Sequence, residues 1–110
     1  MANFKLKFTH GVEIGAELAY RGHYKRTGDF RIKQIADDEM IHQKLLKEIL
    51  EKLDDNPSNI IDGIFQIIGS IVSFFCLFSP KFMLNKVAYI LEVFAVWSYS
   101  DLVRDYPEYK

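Results

Sequence analysis

Three carboxylates and one imidazole carry the chemistry open to this sequence: Glu13, Glu39, His42 and Glu92. Glu39 and His42 lie three residues apart in a run of helical period, so they share one face at roughly 5–6 Å, close enough to share an ion. Ile32, Ile35, Leu46, Ile49 and Leu53 extend that face, and the run 32, 35, 39, 42, 46, 49, 53 reads as the buried seam of a bundle helix. The opposite side is freely charged, from Lys33 and Asp37 to Glu51 and Lys52. A carboxylate and an imidazole thus interrupt a dry stripe although the wet side had room for both. Isolated buried carboxylates are strongly disfavoured, and they persist where a metal ion or hydrogen bonds neutralise them. Carboxylates with one imidazole and no thiolate suit iron or manganese better than structural zinc.

A short internal repeat supplies two further carboxylates. The segment Glu13-Ile-Gly-Ala-Glu-Leu-Ala-Tyr20 is matched by Glu92-Val-Phe-Ala-Val-Trp-Ser-Tyr99. Each sets Glu, then Ala three residues on, then Tyr seven on, along one helical face. The alanine leaves room beside the carboxylate, and the tyrosine hydroxyl can donate to a carboxylate oxygen or to a bound water. Tyr20 and Tyr99 are therefore expected to support the ligands. Glu17 competes with Glu13 for the inward position, and the repeat with Glu92 selects Glu13.

Four helices must position these groups, at about 9–26, 29–53, 59–78 and 80–105. Thr9 reads as the first N-cap, and Thr27-Gly28 as the first stop. Asp29 can cap the second helix, which ends in the turn cluster Asp54-Asp55-Asn56-Pro57. So short a first link makes the first two helices antiparallel neighbours. Ser79-Pro80 restarts the chain for the last helix. No stretch alternates with period two, so the expected fold is all-α: one domain over 1–110, an antiparallel helix bundle.

The third helix stands apart. From Ile64 to Phe78 its only polar side chains are Gln66, Ser70 and Ser73. That apolar run is about fifteen residues, shorter than the roughly 20 of a membrane span. It reads either as a crossover helix buried in the core or an interface, or as a helix lying in a membrane surface. In the second case Ile64, Phe65, Ile68, Ile71, Phe74 and Phe75 would meet lipid or an apolar substrate.

The 110 residues are 49% hydrophobic and 15% aromatic, enough for a folded core. A net charge of -1 with both signs interspersed argues against a nucleic-acid partner. Cys76 is the single cysteine, which excludes a disulfide framework, and it is expected to pack as a small hydrophobe. No signal-peptide pattern precedes Phe8, so the expected compartment is intracellular and reducing. His10 and His23 are expected exposed or facing a partner, Asp37 and Asp38 solvated, and Met40 and Met83 filling gaps.

The ligand set resembles that of ferritin-like di-iron bundles, in which two helices give one Glu each and two give Glu-x-x-His. Here Glu13, Glu39 with His42, and Glu92 are present, and a second Glu-x-x-His is not. Glu13 and Glu39 lie 26 residues apart, so the counterpart for Glu92 falls near position 118. The chain is therefore expected to be a fragment, to borrow ligands from a second copy or another chain, or to carry a degenerate site. Glu13-Ile-Gly-Ala-Glu-Leu-Ala-Tyr-Arg-Gly22 and Ala36-Asp-Asp-Glu-Met-Ile-His42 resemble the first two ligand helices of the demethoxyubiquinone hydroxylases. Ile60 to Phe78 is similar to their membrane-surface crossover helix, and Leu91-Glu92-Val93 stands in the place of their third ligand helix. The resemblance implies an iron-dependent monooxygenase that hydroxylates a quinone ring in ubiquinone biosynthesis, peripheral on the cytoplasmic or inner-membrane surface. It implies two iron ions where the site is complete, with manganese as the other metal, and Glu39 as a bridging carboxylate. Trp97 and the aromatic-rich last helix depart from the family pattern. The alternatives are a rubrerythrin- or ferritin-like iron binder that handles peroxide, and a non-catalytic helical interaction subunit.

Overall fold

The computed structural model describes residues 3–105, and within them the fold is an all-α bundle of four helices without strands. The helices are α1 (Phe4–Thr27), α2 (Phe30–Lys52), α3 (Asn59–Phe78) and α4 (Lys81–Asp105). Local chemistry sets the corners. Gly28 takes the left-handed conformation (φ 69°) and donates its N–H to the Tyr24 carbonyl, closing α1. Asp29 then caps α2 by accepting from the Arg31 N–H, and Ser58 caps α3 by accepting from the Ile61 N–H.

α1 is the hub, and the other three helices pack against it. Salt bridges and hydrogen bonds fix their directions: Arg21 to Asp37 and Glu17 to Gln43 run α2 antiparallel to α1, and Lys5 to Asp101 with Thr9 to Ser98 does the same for α4. α3 crosses back and runs parallel to α1. Its contact is unusually close, because Gly11, Gly15 and Gly22 of α1 face Phe65, Gly69 and Ser73. A Cβ at Gly22 would stand 2.4 Å from the Ser73 Oγ and 2.6 Å from its Cα.

Two apolar clusters hold the other side of α1. Leu6, Leu46, Leu50 and Leu102 form one, backed by Ile49 and Tyr99. Ala16, Tyr20 and Ala36 form the other, backed by Ile32, Ile35, Ala88 and Leu91. The level between them, along α1 from Thr9 to Ala16, is where polar groups enter the interior.

Several expectations move. α1 begins at Phe4 and not after a Thr9 cap; Thr9 is buried and hydrogen-bonded to Ser98, and Leu6 is fully buried in the leucine cluster. Leu53 ends the α2 seam exposed, while Leu50 and Ala36 are the fully buried residues of that helix. Met40 and Met83 are exposed and fill no gap. Cys76 is buried, as its residue type suggests. The helix α3 is long and apolar enough to cross a membrane by length and composition, with only 11% of its most apolar window buried. Residues 106–110, after α4, lie outside the described residues.

Candidate metal centre

The seam of α2 turns Glu39 and His42 toward α1 because Ala36, Leu46 and Leu50 on the same stripe must reach the core. On α1 the face carrying Leu6, Ala16 and Tyr20 also carries Glu13, whose side chain is only 1% exposed. Gln43 settles the competition with Glu17. Its amide donates to the Glu17 Oε1 at 2.8 Å and to the Glu13 carbonyl at 3.3 Å, while Arg21 holds the other Glu17 oxygen. Glu17 is thus tied at the α1–α2 edge, and Glu13 is left to the interior.

Glu13, Glu39 and His42 converge, each with one ligand atom within 4.8 Å of the others. The His42 Nδ1 stands 3.5 Å from the Glu13 Oε2 and 3.9 Å from the Glu39 Oε2. These same three atoms are buried and have no hydrogen-bond partner. Unpaired buried polar atoms are rare and unfavourable, and each calls for a partner. Metal–ligand bonds of about 2.0–2.2 Å at near-right or tetrahedral angles hold neighbouring donors about 3–3.5 Å apart. The two His42 distances lie at or just above that range and the third pair lies within 4.8 Å, so a single ion between the three donors would have to draw them together. Two hard oxygens and one nitrogen suit iron or manganese.

Electrostatics follow from burial. Desolvation raises the Glu13 pKa above the usual carboxylate value, and the Tyr99 hydroxyl and the His42 ring pull against it more weakly. Tyr99 directs its hydroxyl at Glu13, and burial followed by that carboxylate raises the Tyr99 pKa. Its ring also meets the His42 ring edge-on at 5.9 Å. Tyr20 donates to the Glu92 Oε1 at 3.3 Å, and its own pKa is raised by burial first and by Glu92 second. The two tyrosines therefore cross between helices. The one on α1 serves the carboxylate of α4, and the one on α4 serves the carboxylate of α1.

Glu92 is the expected ligand that the structure does not bring in. It is exposed on the flank of α4 and lies outside the converging group. α4 packs on α1 and, through Ala88, Leu91, Tyr99 and Leu102, on the clusters it shares with α2, and Glu92 stays on its exposed flank. Between α2 and α4 lies a cavity of about 150 Å³ lined by His42, Leu45, Leu46, Ile49, Tyr99, Leu102 and Val103. Its walls are apolar, and His42 with Tyr99 closes the end nearest the carboxylates. His42 itself is 42% exposed.

The remaining sequence candidates divide. Ile64, Ile68, Ile71, Phe74 and Phe75 are exposed along the outer face of α3. Phe65 is not; it turns inward over Gly11 and Gly15 and meets Phe8 edge-on at 5.4 Å, because only the glycines leave space for a ring there. Asp37 and Asp38 are solvated as expected, and Asp37 also accepts from Arg21. His10 and His23 are both buried, against expectation. His10 bonds through its Nδ1 to Asp62 at 3.0 Å, a partner 52 residues away that no local pattern reveals. No protein-family model, curated protein or solved structure matches the chain.

Proposed function

We propose that the chain is the metal-binding core of an iron-dependent oxygenase that acts on a lipid-soluble quinone ring, with Glu13, Glu39 and His42 holding the metal. The observation that carries this reading is the convergence of three buried donor atoms, one on each of those side chains, that have no other partner. Iron in such a setting supplies activation of dioxygen, which no side chain here can perform. The chain's own residues do the rest. Tyr99 fixes the Glu13 carboxylate by pointing its hydroxyl at it, and Gln43 ties the Glu13 backbone to α2. The leucine cluster excludes water on one side and the alanine–tyrosine cluster on the other. A cavity of about 150 Å³ beside His42 takes a molecule the size of one aromatic ring. The exposed isoleucines and phenylalanines of α3 support attachment to a membrane surface, where an apolar substrate would be found.

A second reading has its own observation. A protonated His42 between Glu13 and Glu39 would be an ion-pair triad that holds α1 to α2 with no metal, as in a non-catalytic interaction subunit. Metal analysis separates the two. The purified chain should take up Fe²⁺ or Mn²⁺, and a Glu39→Ala, His42→Ala double variant should lose at least tenfold in affinity. Equal, near-zero uptake in both would leave the triad reading.

A further inference from the structure

The fold gathers at one end of the bundle cations that lie apart in the sequence. α1 and α3 finish at this end while α2 and α4 begin there, which places Lys25, Arg26, Arg31, Lys33, Lys81 and Lys86 together at it, all exposed. Asp29 is the one acid in residues 22–36 and 70–91, which form this end, and Arg31 holds it. Among the described residues Lys25, Arg26, Lys81 and Lys86 have no carboxylate partner. Lys25 and Arg26 suit the dipole of α1, whose last turn they occupy. Lys81 does not suit that of α4, which it opens with no acid in the first turn. The same end carries a corner of exposed rings. Phe74 meets Phe75 at 6.3 Å and Phe78 at 5.1 Å, and the apolar exposure continues along α3 through Ile71, Ile68 and Ile64. On α4, Met83, Lys86, Ile90, Phe94 and Trp97 recur in steps of three and four, all exposed. Phe8 joins that flank to α3, edge-on to Phe94 at 6.3 Å and to Phe65 at 5.4 Å. α3 itself has no lysine or arginine. Its neighbours supply them: Arg26 lies one turn beyond Gly22, which faces Ser73, and so comes level with Leu77.

We propose that this face docks on a bilayer of anionic phospholipid. The outer side of α3 and the Phe94–Trp97 flank of α4 enter the acyl boundary, and Lys25, Arg26, Lys81 and Lys86 meet the lipid phosphates. The inference rests on the membrane attachment proposed above and is independent of the metal. Charge selects the occupant. A neutral apolar partner leaves the four cations unmatched. A second copy of this chain could cover the rings, but the carboxylates at the far end of the same side are already held, Asp62 by His10, Asp55 by Lys7 and Asp101 by Lys5. An anionic bilayer matches both features at once, since its interior takes the rings and its surface potential draws in cations placed beside them. The glycine contact serves the same end. Because Gly22 lets α1 close on Ser73, the cations that finish α1 stand near the lipid instead of a side chain's width above it. Docking therefore has a direction: the basic corner is held to the headgroups, and the end at Lys5 and Asp62, where charges are paired, is not.

Flotation of the full chain with two kinds of vesicle tests this: phosphatidylcholine alone, and phosphatidylcholine with phosphatidylglycerol. At about 0.1 M salt the anionic vesicles should bind at least tenfold more tightly, and about 1 M salt should erase the difference. Arg26→Gln, Lys81→Gln and Lys86→Gln together should weaken binding to the anionic vesicles by about a hundredfold, about fivefold for each cation, and leave binding to phosphatidylcholine unchanged. Lys44→Gln, Lys47→Gln and Lys52→Gln remove as much charge from the wet side of α2 and should shift either affinity by no more than about twofold. Helicity should be native in both variants, since all six side chains are exposed. Trp97, the single tryptophan, should be quenched by lipid brominated in its acyl chains. Equal binding to the two vesicles overturns the anionic preference and leaves the attachment standing. Equal losses in the two triple variants overturn the basic corner. An unquenched Trp97 in the bound chain overturns the share of α4. A chain that binds neither vesicle takes the attachment and this inference down together, and one that then sediments at twice its mass puts a second copy on the face.

Discussion

α1 meets its neighbours in two opposite ways. Toward α3 it presents Gly11, Gly15 and Gly22, and the two backbones close until a Cβ at Gly22 would collide with Ser73. Toward α2 and α4 it presents Glu13, Ala16 and Tyr20, side chains that end in oxygens or leave room for those of others. Small residues serve both faces, with different results. On the α3 face the space they leave is filled by the Phe65 ring and by the backbone at Gly69 and Ser73, and His10 adds a bond to Asp62. On the other face it is filled by donor groups, three of whose atoms have no partner. One face is scaffold with no slack. The other keeps buried polar atoms without hydrogen-bond partners, which is costly to stability and useful to a metal.

Breaking the scaffold face should give the largest effect. Gly22→Val must separate α1 from α3, since the nearest obstacles include the Ser73 Cα and carbonyl oxygen. We expect a loss of about 3 kcal/mol in urea unfolding. Gly63 is the control: it lies in α3 with nothing within 4 Å of an added Cβ, so Gly63→Ala should stabilise by about 0.5–1 kcal/mol. Equal behaviour of the two substitutions would remove the close contact from the argument.

The outer face of α3 should behave independently of its inner one. Ile68→Lys with Phe75→Lys replaces two exposed side chains, each worth about 1.5–3 kcal/mol on transfer from water. Flotation with phospholipid vesicles should weaken by about a hundredfold or more, while thermal stability moves by no more than about 0.5 kcal/mol. A large loss of stability would mean that this face is buried against protein.

The donor face should respond in the reverse sense to the scaffold. Glu13→Gln keeps an acceptor for Tyr99 and removes the charge that burial disfavours. Without metal the variant should be more stable by about 1 kcal/mol, and its metal affinity should fall by at least tenfold. A destabilised variant would show that the Glu13 charge is already well paired by His42.

The contrast between the faces was only half visible in the order of residues. Corners were legible because they are local: Gly28, Asp29 and Ser58 act within a few residues of themselves. The inward set of Glu13, Glu39 and His42 was legible from period and repeat. Glu92 obeys the same period, yet its exposure depends on which helices stand over α4, and period carries no such information. The start of α1 was lost because Leu6 has its reasons elsewhere, in Leu46, Leu50 and Leu102. His10 was misplaced for the same cause, since its partner Asp62 is on another helix. The spacing Gly11-x-x-x-Gly15 was a signal in plain view for close helix contact, and Gly22 with Gly69 completes it.

The smallest expected effect concerns His23, next to Gly22 and buried where the hub helix ends. Burial lowers its pKa below the usual value, and the pull of Asp29 in the other direction is weaker. In the unfolded chain the same ring titrates near its ordinary pKa of about 6.5. As pH falls through that value, the unfolded chain takes up a proton that the folded one refuses, so stability declines until the folded His23 itself protonates. Urea unfolding at about pH 8 and about pH 5 should show this loss, and His23→Gln should reduce it. A loss unchanged in His23→Gln would place the titrating group elsewhere.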